Sequence, residues 1–368
     1  MKSGRGSNGR ASAPIVYTMR DVARHAGVSP ATVSRVLNDT HYIADETRKR
    51  VLGAVDELNY YKNVHARRLA TGTSDLFALV ISDIANPFFP EVIRGFQGAA
   101  WDRGFDVLVL NTEYSSKRTE TIVRKLVESD VRGVAIMTSS IEETATRELT
   151  SAGISVVFSN LCRADKFISN ITVNYDTGIA QAIEHVAQLG HRRAAVIAGP
   201  EGNRTAAMIT RALVSRLERK GMKPCPVTSS QYRVDAGALA VKDILNEPEL
   251  PTVIFCGSDL IAMGAMSALE EAGIRIPEDV SIVGIDNIAF ATLARPSLTT
   301  IHVPREKLGE TAFTALDKML KLKRHHGSEY SLETELVVRK STAPARQNRK
   351  PNGKWSRAAA GSIAIDET

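Results

Sequence analysis

From Leu76 to Asp286 the chain alternates short apolar runs with amphipathic stretches, and no other feature restricts its fold as much. FALVIS is followed by EVIRGFQGAAWDRG, DVLVLN by TETIVRKLVES, and GVAIM closes a first series. After Ile171 the pattern resumes through AAVIAG, TRALVSRLERKG, TVIFCG, MGAMSALEEAG and SIVGID. Regular strand-helix alternation calls for parallel sheets covered by helices on both faces. Two series predict two Rossmann-like α/β subdomains with a cleft between them. With 368 residues and 43% hydrophobic content there is material for two or three domains.

The charge is unevenly placed. Residues 1 to 74 hold twelve basic and six acidic residues out of 47 and 41 in the whole chain, so the formal excess of +6 lies entirely there. A polyanion is the partner such an excess attracts. Residues 1–17 are polar and glycine-rich and read as a disordered tail. Gly4, Gly6 and Gly9 spell GxGxxG, but no strand precedes them, so a dinucleotide site is rejected. Residues 347–368 form a second basic tail, without the leucine heptad that would make a tetramer.

Between the first tail and the core lie three short helical patterns, residues 18–60. Thr18 can cap MRDVARHA, in which Val22, Ala23 and Ala26 share a face, and Gly27 supplies a turn. Ser29 then caps a second helix with Pro30 at its first position and Val33, Val36 and Leu37 as its buried stripe. Two short helices joined through a glycine form a helix-turn-helix. Pro30, Ala31, Ser34 and Arg35 would face the major groove, where an arginine can bond guanine in bidentate fashion. Ser29, Thr32, Ser34 and Asn38 are placed for phosphates, which position rather than specify. Any small helical bundle has alanine and valine at such spacings, so the pattern alone leaves a plain bundle open.

The strings themselves narrow the choice. TMRDVARHAGVSPATVSRVLN resembles the N-terminal signature of the LacI/GalR family of bacterial repressors, and the resemblance runs from Thr18 to about Pro344. DETRKRVLGAVDELNY, ARRLATGTS, NPFFPEVIRGF, QLGHRRAAVIAGP, SDLIAMGA, GIDN, PSLTTIHVP and VVRKSTAPA follow in the family's order. The resemblance implies a core of the periplasmic-binding-protein type over 75–346. Lobe 1 would combine about 75–172 with 303–331, and lobe 2 about 173–302 with 332–345. It also implies a homodimer on a palindromic operator in double-stranded DNA, and repression as the output.

Residues 61–74 resemble the family's hinge helix and linker, too short to be stable alone and ordered on DNA. By resemblance Leu69 is a wedge pushed into a central base step, while Asn63, Ala66 and Arg67 line the minor groove. Lys62 stands where the family has proline, and Ala44 where a capping serine precedes the third helix, with Asp45 as a substitute cap.

A ligand of a two-lobed α/β core belongs at the carboxyl ends of its strands. Phe88 and Phe89 follow the first core strand, Tyr232 follows another, and Asp286 ends SIVGID. Aromatic faces with one carboxylate suit a sugar or a nucleobase, although two phenylalanines after a strand serve equally well as core. The resemblance makes Asp286 the effector carboxylate and Tyr232 the stacking aromatic. Ser258 replaces a common asparagine, and Ile209 falls where the family has an effector-binding arginine. Arg204, about one turn away, could reach the same space, with Thr205 as a hydroxyl donor. The alternative is a pocket lost or repurposed.

No GxSxG, P-loop or HExxH occurs, and Cys162, Cys225 and Cys256 show no metal-ligand spacing, so neither an enzyme, a cofactor nor a metal is expected. His325 and His326 fall in a polar connector. No signal-peptide or membrane-spanning run is found, which points to the cytoplasm and away from the remaining rival, a transporter's solute-binding protein.

Overall fold

The computed structural model describes residues 17–38, 42–60, 74–138, 143–160, 163–228, 231–321 and 326–346. The chain divides into an N-terminal unit up to Thr73 and a core from Ser74.

The N-terminal unit holds α1 (Met19–Ala26), α2 (Pro30–Asn38) and α3 (Asp45–Glu57). Thr18 opens α1 by donating both its N–H and its hydroxyl to the Asp21 carboxylate, at 2.9 and 2.7 Å. Gly27 closes it in the left-handed region at φ 65°, and Val28 N–H returns to Ala23 O at 3.0 Å. Ser29 Oγ accepts the Thr32 N–H at 3.1 Å, capping α2 where the sequence required a cap. Ala44 takes the cap position of α3 without a side-chain bond, and Asp45 is the first helical residue instead of a substitute cap. Asp45 and Glu46 still oppose the positive end of the helix. Val22, Ala23, Ala26, Val33, Val36 and Val51 meet as the core of this unit.

The core begins with β1 (Leu76–Ile81), α4 (Phe89–Trp101), β2 (Asp106–Asn111), α5 (Ser116–Glu128), β3 (Gly133–Met137), α6 (Glu143–Ser151), β4 (Ser155–Ser159) and β5 (Ile168–Asn174). A second series follows: α7 (Tyr175–Gln188), β6 (Arg193–Ala198), α8 (Arg204–Arg219), β7 (Lys223–Thr228), α9 (Val234–Leu245), β8 (Val253–Cys256), α10 (Asp259–Glu271), β9 (Ser281–Asp286), α11 (Phe290–Leu293) and β10 (Thr299–His302). The chain ends with α12 (Arg305–Lys321), β11 (Glu329–Glu333) and β12 (Glu335–Val337).

Two six-stranded sheets result, ordered β11-β5-β4-β3-β1-β2 and β12-β10-β9-β8-β6-β7. All their pairings are parallel except β10 with β12. Helices cover both faces of the inner strands, so β3 and β8 are buried at every residue.

The chain passes between the sheets three times: from β5 into α7, from β10 into α12, and from β11 to β12 through the single residue Thr334. Thr334 is buried, and its hydroxyl donates to Asn174 O at 2.8 Å while accepting the Gly178 N–H at 3.2 Å. The first and third passages are thereby stitched together.

In each lobe a pair of helices touches at glycine. A methyl group on Gly95 of α4 would overlap the Glu306 carbonyl of α12, and one on Gly309 of α12 would overlap the Val92 carbonyl. In the other lobe Gly237 of α9 meets the carbonyl of Ile261, and Gly264 of α10 that of Val234.

Among the described residues no helix is long and apolar enough to cross a membrane.

Candidate DNA-reading helix and effector cavity

Within the N-terminal unit, α2 turns Val33 and Val36 inward and leaves Pro30, Ala31 and Arg35 exposed on the opposite side. Ser29 is exposed, Thr32 and Ser34 are half-buried, and Ser29 Oγ lies 2.9 Å from Thr32 Oγ1. A short helix with a small-residue N-terminus and one projecting arginine fits a groove lined with base edges. Asn38 closes α2, with its side chain outside the described residues. The hinge residues Asn63, Ala66, Arg67 and Leu69 also lie outside them, as do both predicted tails apart from Tyr17.

The core site follows from strand order. In the first sheet β1 lies between β2 and β3, and in the second β6 lies between β7 and β8, so the order reverses there and opens a crevice at the carboxyl ends. A cavity of about 120 Å³ occupies it. Ser82 after β1, Thr138 after β3, Asn160 after β4, Tyr175 after β5 and Gly257 after β8 all face it.

Five of the seven residues expected from the sequence line this cavity: Phe88, Phe89, Thr205, Tyr232 and Asp286. The rings of Phe88 and Phe89 meet edge-on, with centroids 5.2 Å apart at 78°. Tyr232 packs closely against Gly199, where a methyl group would overlap the ring.

Two expectations are corrected. Arg204 is exposed at the first position of α8 and does not line the cavity. Thr205 and Ile209, four residues apart and so on one face of α8, take the inward positions. Ser258 is buried behind the wall as the cap of α10, where its Oγ accepts the Ile261 N–H at 3.3 Å.

Sequence reasoning missed Tyr114, Tyr175, Asn86, Asn160 and Asn203. The signal available was position: all five lie within five residues of a strand's carboxyl end, and Asn203 also caps α8.

Asp286 sits at φ 115°, a backbone value that L residues rarely adopt, held there by the groups around it. Burial, and then the neighbouring Asp259 carboxyl, push its pKa well above the ordinary aspartate value, against the pull of Arg305. Burial also raises Asp259, although Thr300 Oγ1 donates to it at 2.5 Å and the Ile288 N–H at 2.8 Å. Three tyrosine hydroxyls around the cavity are raised by burial first and by Asp286 as well, Tyr114 to about 12 and Tyr175 and Tyr232 further.

Behind Asp286 lies Arg305, 3% exposed, which the sequence gave no reason to select. Its guanidinium donates to Asp286 O, to Asn287 O at 2.8 Å and to Glu91 Oε2 at 2.8 Å. Glu91 belongs to α4, the helix that starts at Phe89, so one side chain ties the two walls of the cavity together. Its buried Nε has no hydrogen-bond partner among the described residues.

Comparison with known proteins agrees with this anatomy. Residues 18–63 match the bacterial regulatory proteins of the lacI family, and residues 183–342 match the periplasmic binding protein-like domain. The chain is 32% identical over 327 residues to the HTH-type transcriptional repressor PurR of Photobacterium profundum, covering 88% of this chain and 98% of the relative. The PurR of Vibrio atlanticus is 32% identical over 332 residues, covering 88% and 97%. Among solved structures, a Lac repressor dimer bound to operator and the anti-inducer ONPF superposes with a TM-score of 0.81 at 28% identity, covering 89% of this chain and 100% of the other. A LacI family regulator from Enterococcus faecium with bound ribose superposes at 0.67 and 26% identity, covering 74% and 100%. With a helix-turn-helix head, a two-lobed core and a relative this similar over nearly its whole length, the chain belongs to the LacI family of bacterial regulatory proteins.

Proposed function

We propose that this protein is a transcriptional repressor that binds a palindromic operator as a homodimer and is controlled by a small molecule in the cavity of its core. The observation that carries the reading is α2, with Pro30, Ala31 and Arg35 exposed on a short capped helix and its other side packed into the head. Relatives described as repressors, and a neighbour solved as a dimer on operator, support it. In this reading residues 18–60 bind DNA, 61–74 form the hinge and linker, and 75–346 bind the effector and the second subunit. Residues 1–17 and 347–368 are tails outside that machinery. The effector is a sugar or a nucleobase-like molecule. The protein works where the DNA is, in the cytoplasm, and catalyses no reaction.

Selection from random duplex DNA with the full chain tests this reading. The expected product is a palindrome with a central CG step, since a two-fold dimer reads each half-site alike. In fluorescence anisotropy on that duplex, Arg35→Ala costs about 1 to 3 kcal/mol of discrimination at one base pair. Leu69→Ala weakens binding about tenfold or more, because unkinked DNA wraps less protein. No enriched sequence, or an Arg35→Ala protein that discriminates like the parent, overturns the proposal.

A further inference from the structure

We infer that the basic C-terminal tail docks on the core of its own chain, with Trp355 in an apolar groove at the C-terminal end of α10 and the flanking cations against acids on the groove's rim. The groove shares no described residue with the effector cavity.

The groove is set by the two ends of one helix. α10 begins behind the cavity wall, where Ser258 caps it, and ends at Glu271. Beyond that end, toward the turn at Arg295 and Pro296, lies an open groove of about 380 Å³. Buried Met266 and Ile274 and half-buried Ile276 and Pro296 give it an apolar lining, which favours a covering side chain over water. An engineered cavity of roughly 150 Å³ holds benzene, so the bicyclic ring of a tryptophan fits this larger space.

Four charged residues stand on the same wall. Arg275 is engaged by Asp279, with bonds of 2.9 and 3.1 Å, and Arg295 donates to Leu293 O and Ala294 O of its own turn at 2.8 and 3.1 Å. Glu270 and Glu278 are exposed, and exposed Glu271 adjoins them on the helix. The charge that the groove offers to a partner is therefore negative.

The chain arrives at this place by itself. Arg346, the last described residue, donates to Asp279 Oδ1 at 2.7 Å, and the same carboxylate holds Arg275 of the groove wall. The sequence that follows carries Arg349, Lys350, Lys354 and Arg357 around Trp355, with no acid before Asp366. Trp355 comes nine residues after Arg346, a reach of about 30 Å at full stretch. Pro351, Asn352 and Gly353 between them are a turn-forming sequence. A tethered segment meets a nearby groove at high effective concentration, whatever the concentration of the protein. A nucleic acid would also attract these cations, but an exit beside an acidic, apolar groove favours the nearer partner.

Tryptophan fluorescence of the full chain tests the docking. The chain has two tryptophans and Trp101 is 80% exposed, so Trp101→Phe leaves Trp355 as the sole reporter. Its emission is expected at shorter wavelength than that of a free peptide of residues 346–358, with several-fold weaker quenching by acrylamide. Glu270→Lys with Glu278→Lys should return both readings toward those of the peptide, and adding Arg349→Glu with Lys350→Glu should restore them by swapping the charges. Should Trp101→Phe not fold, subtracting the spectrum of a chain ended at Arg346 from that of the full chain isolates the same signal. Emission and quenching like those of the peptide overturn the inference. So does protection that the charge reversals leave unchanged, that rises with protein concentration, or that appears only when duplex DNA is added.

Discussion

The two lobes of the core meet the same packing problem with differently sourced helices. In the lobe built on β6 to β10, the glycine contact joins α9 to α10, separated in sequence only by β8 and its loops. In the lobe built on β1 to β5, it joins α4 to α12, whose glycines Gly95 and Gly309 come from opposite ends of the core. The first contact can form as soon as its local segment is made. The second must wait until the chain has built the other lobe and returned. Equal packing therefore does not mean equal history, because closing a long loop costs entropy before the contact rewards it.

The largest effects should come from the glycines themselves. Gly264→Val and Gly309→Val force helix backbones apart, and each should cost about 3 kcal/mol or more in chemical denaturation. The milder Gly264→Ala should slow refolding, and Gly309→Ala should chiefly speed unfolding. If both alanine variants divide their effect alike between the two rates, the contrast between the lobes has no kinetic meaning.

Next comes the residue that spans the lobes. Arg305→Met removes a buried guanidinium, takes the side-chain donor from the Asn287 carbonyl and partly exposed Glu91, and leaves the Asp286 carbonyl with only the long bond from Val303 N–H at 3.4 Å, at a cost of about 2 kcal/mol. A variant as stable as the parent would show that the junction stands without this tie.

A smaller difference lies in the acids. The only carboxyl that either lobe gives to the described cavity wall is Asp286, and its raised pKa means that the fold favours the protonated form. The stability this confers is complete below the ordinary aspartate pKa and is lost as pH rises toward and through the raised value. Between about pH 5 and 8 the parent should therefore lose more stability than Asp286→Asn, which has nothing to ionise there. Identical losses would put Asp286 in a wetter setting than its burial indicates.

The smallest effect has the opposite sign. Gly98 lies in α4 three residues from Gly95, but a methyl there meets nothing within 4 Å. Gly98→Ala should stabilise by about 0.5 to 1 kcal/mol, through helix propensity alone. A loss instead would mean that α4 is strained along its whole length and not only at its contact.

Much of this architecture was legible because its causes are local. A cap, a terminal glycine and a buried stripe define α1 and α2 within residues 18–38, and apolar runs identify the inner strands. The passages between lobes were known only through resemblance. β11 and β12 are short edge strands divided by one threonine, and no periodicity marks where the chain changes sheet. The cavity was half legible for a related reason. Phe88, Tyr232 and Asp286 stand out by residue type, whereas Asn160 and Tyr175 matter only because β4 and β5 end beside them. Arg204 drew attention for its charge, but a step of one residue along a helix turns a side chain by about 100°, enough to face water while Thr205 faces the cavity. Arg305 was invisible because its importance lies in three acceptors, two of them main-chain atoms.

The three passages between the sheets also limit how such a regulator can be recombined. A head encoded by one continuous stretch can be grafted onto another core through a single junction between residues 60 and 74. Neither lobe can be exchanged that way, since each is assembled from separate stretches of the gene, and a replacement must match at three places, including the bonds that Thr334 makes to Asn174 and Gly178. New operator preferences are thus open to simple cassette exchange, while new ligand preferences must arise within the core by substitution, one wall residue at a time.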